Sequence, residues 1–83
     1  MDIKVLGPGC AKCEKLYTET QKAILEAGVE ANLTKVQRID EIASFGIMIT
    51  PALVIGEQVK FSGKVPSASE IARLIRDEMD ETE

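Results

Sequence analysis

The tightest constraint on this chain lies near its start, where a short apolar strand, Ile3 to Leu6, turns through Gly7-Pro8-Gly9 into an amphipathic helix opening on Cys10-Ala11-Lys12-Cys13. Two thiols three residues apart at a helix start occupy neighbouring positions of the first turn. The leading one lies beside unpaired backbone N–H groups and the positive end of the helix dipole. That placement favours the thiolate, the form that attacks disulfides, and the second thiol is close enough to release the mixed disulfide by closing an intramolecular one. A purely structural disulfide across so short a loop would remove little unfolded-state entropy. Structural zinc needs about four nitrogen or sulfur ligands. Two cysteines and no histidine argue against zinc held within one chain. A two-thiolate Cu(I) site stays open, since soft thiolates suit that ion and two chains could share it.

At 83 residues the chain makes a single domain. Such a domain buries roughly 60–65% of its unfolded surface, so most apolar positions are needed for the core. We set residues 1–79 as that domain and residues 80–83 as an acidic tail expected to fray. A net charge of −4 supplies no basic field for nucleic acid. The longest apolar run, Ile47 to Ile55, is interrupted by Thr50-Pro51, and it is far shorter than the roughly 20 residues of a membrane span. Asp2 follows Met1 with no basic n-region or apolar h-region, so no signal peptide and a cytoplasmic location are expected. In that compartment a lone cysteine pair is more often catalytic or metal-binding than structural.

The order of elements follows from periodicity. Cys13, Leu16, Tyr17, Thr20, Ile24 and Ala27 recur at helical steps and form one buried stripe, and Gly28 is the natural stop. Val29, Ala31 and Leu33 then alternate as a half-buried strand ending near Val36. Two strands joined through such a helix are expected to be parallel. Ile39 to Phe45 forms a short helix closed by Gly46. After Thr50-Pro51, Ala52 to Ile55, the glycine-first turn Gly56-Glu57 and the alternating Val59 and Phe61 make an antiparallel hairpin. Ser67-Ala68-Ser69-Glu70 is a capping box for a last helix with Ile71, Leu74, Ile75 and Met79 on one face. The predicted order is βαβαββα.

With the cysteine pair opening the first helix and Thr50-Pro51 at the hairpin entry about 40 residues after Cys10, the chain resembles the thioredoxin-like superfamily over nearly its whole length. It is most similar there to the small redox-active disulfide proteins of archaea and bacteria, with Gly7-x-Gly9-Cys10-x-x-Cys13 near the N-terminus. The resemblance implies an α/β thioredoxin fold, a four-stranded mixed sheet flanked by three helices. It also implies that Pro51 is in cis against the dithiol, that the backbone of Thr50 pairs with an extended substrate, and that the proline keeps metal from the thiols. The chain departs from ordinary thioredoxins in having no tryptophan before Cys10, and Lys4 stands where they carry a buried aspartate. Phe61-Ser62-Gly63-Lys64 replaces the Gly-Gly and acidic residue with which glutaredoxins hold glutathione, leaving glutathione use open.

Cys10, more exposed and nearer the orphan N–H groups, is expected to attack. Cys13, on the apolar stripe, is expected to resolve. Gly9 and Lys12 are supporting residues. Lys12, with Lys15, places positive charge near Cys10 that favours a thiolate, against the plainer reading of solvated lysines. Pro8 reads as a shaped turn, its glycine neighbours supplying positive φ or close backbone approach. Tyr17 reads as core packing. The expected function is a thiol–disulfide oxidoreductase reducing protein disulfides, with no cofactor, working as a monomer. Its implied partners are disulfide-containing proteins and a thioredoxin reductase or equivalent electron donor. The alternative is a metal-handling module using the same cysteines, for Cu(I) or for an iron–sulfur cluster bridged by Cys10 from two chains. Copper chaperones with a cysteine pair in this place have a βαββαβ order and a methionine two residues before the first cysteine. Here that residue is Pro8 and the last predicted element is a helix.

Overall fold

β1 (Asp2–Leu6) alternates Ile3 and Val5 on one side with Lys4 and Leu6 on the other, and Ile3, Val5 and Leu6 are all buried. A strand buried on both faces must be central, and neighbours flank it on either side. β2 (Asn32–Val36) pairs parallel to it and β3 (Ala52–Ile55) antiparallel, and β4 (Gln58–Ser62) pairs antiparallel with β3, giving the order β2-β1-β3-β4. The computed structural model describes the backbone of residues 1–81 and the side chains of residues 1–79. Its seven elements run βαβαββα, the order expected from the periodicity, with a mixed four-stranded sheet.

α1 (Ala11–Ala27) and α3 (Ala68–Glu81) pack together on one face of the sheet. There Ile3, Val5, Leu53 and Ile55 from the strands meet Leu16 and Ala23 of α1 and Ile71, Ala72 and Ile75 of α3. The α1 stripe holds as expected, with Ala23 added to it. Thr20, fully buried, donates its hydroxyl hydrogen to the Leu16 carbonyl at 2.7 Å, so it sits in the stripe without an unsatisfied group. α2 (Ile39–Ser44) covers the other face with Leu6, Val36, Ile42, Ala52 and Val54, backed by Phe45 and Ile47. No helix among the described residues is long and apolar enough to cross a membrane.

Three local expectations change. Val29 and Ala31 pack on the core beside Leu33 but precede β2. The strand begins only at Asn32 because its partner begins at Asp2, and ladder pairing needs both chains. On β4, Val59 pairs with Val54 and Phe61 with Leu53, so Lys60 is the extra residue of a bulge. The bulge reverses the parity: Phe61 joins the α1/α3 core while Val59 lies with Val54 on the other side, although the two are separated by one residue. At α3, Ser67 Oγ accepts the Glu70 N–H at 3.3 Å, which is the first half of the box, but no return bond from the Ser67 N–H to the Glu70 side chain is present among the described residues; the neighbouring Ala68 N–H goes to Glu19 Oε2 of α1 at 3.1 Å. α3 runs to Glu81, and the remainder of the tail set apart above, residues 82–83, lies outside the described residues.

Candidate active site

The C-terminal end of β1 feeds Gly7, Pro8 and Gly9 toward the start of α1. Gly9 has φ +100°, the conformation in which glycine avoids the Cβ penalty, and it redirects the chain into Cys10. Cys10 is the N-cap of α1, with extended backbone (φ −71°, ψ 167°), and its carbonyl accepts the first helical N–H, from Glu14, at 3.0 Å. Its sulfur takes the role usually filled by serine or aspartate, accepting the Cys13 N–H at 3.3 Å. A sulfur that receives a helix N-terminal N–H is one whose thiolate is favoured once it is free, because both the hydrogen bond and the dipole stabilise negative charge.

Cys10 and Cys13 are joined as a disulfide, their Cα atoms 5.0 Å apart. Their surroundings differ: Cys10 is exposed, whereas Cys13 is 5% exposed and faces inward from the helix. The reason is the helical stripe, which carries Cys13 with Leu16 and Thr20 against the sheet. Lys12 and Lys15 are exposed on α1, and neither has an ion-pair partner among the described residues. Lys12 therefore offers an uncompensated charge in the turn that holds both cysteines.

Thr50 and Pro51 reach the same place at the entry to β3, the strand beside β1, where Ala52 pairs with Leu6. Their peptide bond is cis. Pro51 is buried, and its Cα lies 4.0 Å from where a Cβ on Gly7 would stand, a position that overlaps Cys13 Sγ. Gly7, Cys13 and Pro51 thus come together at one point. The Pro51 carbonyl is taken by the Gly63 N–H at 2.7 Å, fixing this strand entry within the sheet. Thr50 is half-buried, and its backbone has no hydrogen bond within the chain among the described residues. Beside it an apolar groove of about 320 Å³ is lined by Pro8, Ile39, Ile42, Ala43, Ile47, Met48 and Thr50. Met48 is 98% exposed at its rim.

Two features were not anticipated from sequence. Gly7 is buried against Cys13, a use of glycine for space that the sequence signals only as a choice between space and positive φ. Lys35 of β2 lies 2.8 and 3.0 Å from the two oxygens of Glu14 and 4.6 Å above the Tyr17 ring, tying the first turns of α1 to the edge strand. Residues 21 apart in sequence carry no local signal of such a pairing.

Comparison with known proteins agrees with this geometry. Residues 1–76 match a family model described as a thioredoxin domain. A thioredoxin of Methanocaldococcus jannaschii is 38% identical over 69 residues, covering 83% of this chain and 79% of that protein. A thioredoxin of Methanothermobacter thermautotrophicus is 32% identical over 75 residues, covering 90% of this chain and 97% of that protein. With a cysteine pair opening α1, a cis-proline that shares Gly7 as a neighbour with Cys13 and a match spanning nearly every element, this chain belongs to the thioredoxin family.

Proposed function

We propose that this thiol–disulfide oxidoreductase works as a reductant of protein disulfides, with Cys10 attacking and Cys13 resolving. One observation carries the assignment of roles: Cys10 is exposed and caps the helix, whereas Cys13 is 5% exposed. In the dithiol form, Cys10 thiolate attacks one sulfur of the substrate disulfide, and the other leaves as a thiolate that takes up a proton. Cys13 then loses its proton and attacks Cys10 Sγ. The substrate's remaining sulfur departs, and the protein is left as the Cys10–Cys13 disulfide. Two electrons have passed to the substrate. Two electrons and two protons from a reductase restore the dithiol.

Lys12 stabilises the attacking thiolate by proximity, and Gly9 provides the bend that brings Cys10 to the cap. The free backbone edge of Thr50, with Pro51 behind it, pairs with the extended segment bearing the substrate disulfide. The partners are therefore disulfide-containing proteins and a thioredoxin reductase or equivalent donor, and the working unit is a monomer comprising residues 1–79. A cytoplasmic setting fits, since the chemistry requires a compartment that returns the pair to the dithiol. Of the metal-handling alternatives, the copper chaperone has a different element order, βαββαβ against the βαβαββα of the described residues, whereas the bridged iron–sulfur carrier shares this fold and is not separated from the redox reading by it.

The test is trapping. Cys13→Ser should accumulate mixed disulfides with protein substrates and Cys10→Ser should not. Equal trapping, or trapping by Cys10→Ser alone, reverses the roles. In a reductase-coupled insulin-reduction assay the intact protein should turn over. Its potential should lie nearer the roughly −270 mV of a thioredoxin reductant than the roughly −120 mV of a strong oxidant.

A further inference from the structure

A buried glycine in a strand-to-helix connection is there for its conformation or for its lack of a side chain. At Gly7 the first reason fails. The glycines with positive φ are Gly9, Gly28, Gly46, Gly56 and Gly63, so Gly7 lies outside the left-handed region that demands glycine. Its N–H is engaged by the Val36 carbonyl at 2.9 Å, an ordinary sheet-end bond open to any residue but proline. What excludes a side chain is Cys13: a Cβ on Gly7 would overlap Cys13 Sγ and stand 3.0 Å from Cys13 Cβ, while Pro51 Cα, at 4.0 Å, is in normal contact.

The freedom of that sulfur depends on its oxidation state. In the disulfide, Cys13 Sγ is bonded to Cys10 Sγ, and Cys10 is fixed as the helix cap. The sulfur then has nowhere to retreat from an added methyl. In the dithiol, Cys13 can rotate about χ1 into another staggered well and relieve the sulfur contact, whereas the 3.0 Å contact with Cys13 Cβ is common to both forms. A side chain at position 7 therefore raises the disulfide form above the dithiol form, and a glycine there removes that bias.

We propose that Gly7 is a positioning residue for the resolving sulfur, its missing side chain keeping the disulfide form accessible and so holding the couple at a reducing potential. The inference rests on the dithiol reading of the site. Its chemistry is the exchange of the protein disulfide with two glutathione thiols, giving the protein dithiol and one glutathione disulfide. Two electrons move from glutathione sulfur to the protein, and the protons of the two thiols go to the cysteines.

The experiment equilibrates the full chain and Gly7→Ala with glutathione buffers and reads the dithiol fraction. Gly7→Ala should shift the equilibrium constant toward the dithiol at least fivefold. A tenfold shift reads as a rise of about 30 mV. A smaller shift, or one toward the disulfide, overturns the inference, because a merely structural glycine would weaken both forms alike. Gly28→Ala is the control: it burdens a left-handed cap with φ +69° and open space around it. It should lower the melting temperature without moving the constant, and a comparable shift there overturns the inference. The same equilibration is run against dithiothreitol, and failure of the intact chain to cycle between disulfide and dithiol with either thiol would remove the redox reading itself, and this inference with it.

Stability supplies a second route. The loss of melting temperature caused by Gly7→Ala should be smaller in a Cys13→Ala background, where the sulfur is gone, than in the oxidised chain. An equal or larger loss overturns the proposal. If oxidised Gly7→Ala does not fold, folding of Gly7→Ala/Cys13→Ala supports it and failure of the double variant overturns it.

Discussion

The two faces of the sheet are built to different specifications. On one, α1 and α3 bury a continuous core that draws Ile3, Val5, Leu53 and Ile55 together with Leu16, Ala23, Ile71, Ala72 and Ile75. On the other, the six residues of α2 and the loop after it cover only Leu6, Val36, Ala52 and Val54, and Ile39, Met48 and Ile49 remain 68, 98 and 62% exposed. Cys13 is carried on the buried side of α1, the helix of the thick face, against Gly7 at the end of β1, while Thr50 lines the groove of the thin one. The thick face holds the dithiol in place. The thin face leaves apolar surface exposed beside it.

The largest effect should come from the thick face. Leu16→Ala removes a fully buried side chain one turn beyond Cys13, between the sheet and α3. It should cost about 3–5 kcal/mol in urea unfolding of the oxidised protein. A domain of this length holds only about 4–12 kcal/mol in total, so the variant should be near the edge of folding at 37 °C. Ile42→Ala makes the same kind of cut on the thin face, at a side chain 5% exposed in a helix with no side-chain cap. There the neighbours can settle or water can enter from the groove, and about 2 kcal/mol is expected. Equal costs at the two positions would erase the distinction between the faces.

The legibility of the fold divides along similar lines. The order of elements, the α1 stripe and the cysteine pair were readable because each rests on local spacing: apolar residues at helical steps, glycines as stops, two thiols in one turn. The start of β2 was not, because Val29 and Ala31 alternate like strand residues and only the position of Asp2 across the ladder ends the pairing at Asn32. Val59 and Phe61 also look like same-face neighbours until the bulge at Lys60 sends them apart. For the site, Cys10 and Cys13 were visible as residues, and the resemblance pointed to Thr50 and Pro51. The contact of Gly7 with Cys13 beside Pro51 was hidden, since it depends on the fold of the β1–α1 turn and on a segment about 40 residues on reaching the same point.

The bulge also supplies a smaller test. It aims Lys60 Nζ at Glu78 of α3, 2.7 Å away, in a pair whose side chains are only 16 and 13% exposed. Its counterpart at the edge of the same face, Lys35 with Glu14, has side chains 37 and 52% exposed. Half-burial places the first pair between surface bridges, worth about 0–1 kcal/mol, and buried ones, where loss of a partner costs about 3–5. Glu78→Gln should therefore cost about 1–2 kcal/mol with little dependence on salt. Glu14→Gln should cost less than about 0.5 kcal/mol and fade as salt is added. Unfolding both variants at low and high ionic strength checks the ranking. If the two behave alike, the thick face has no protected rim.

The smallest expected effect on stability is the sharpest test of the thin face. Met48 is 98% exposed at the rim of the groove that Thr50 and Pro8 also line, so its side chain contributes almost nothing to the core. Met48→Ser should change unfolding free energy by no more than about 0.5 kcal/mol, the range of a surface substitution. If the thin face is left open to seat the segment around a substrate disulfide, removing this thioether takes away apolar contact that exists only in the complex. The rate with a folded protein disulfide should then fall severalfold, while the rate with hydroxyethyl disulfide, which carries no peptide segment for the rim to hold, should stay the same. Parallel kinetics on the two substrates separate the cases. An equal fall on both would mean that Met48 acts on the dithiol itself, and a loss of stability above about 1 kcal/mol would mean that the thin face is part of the core after all.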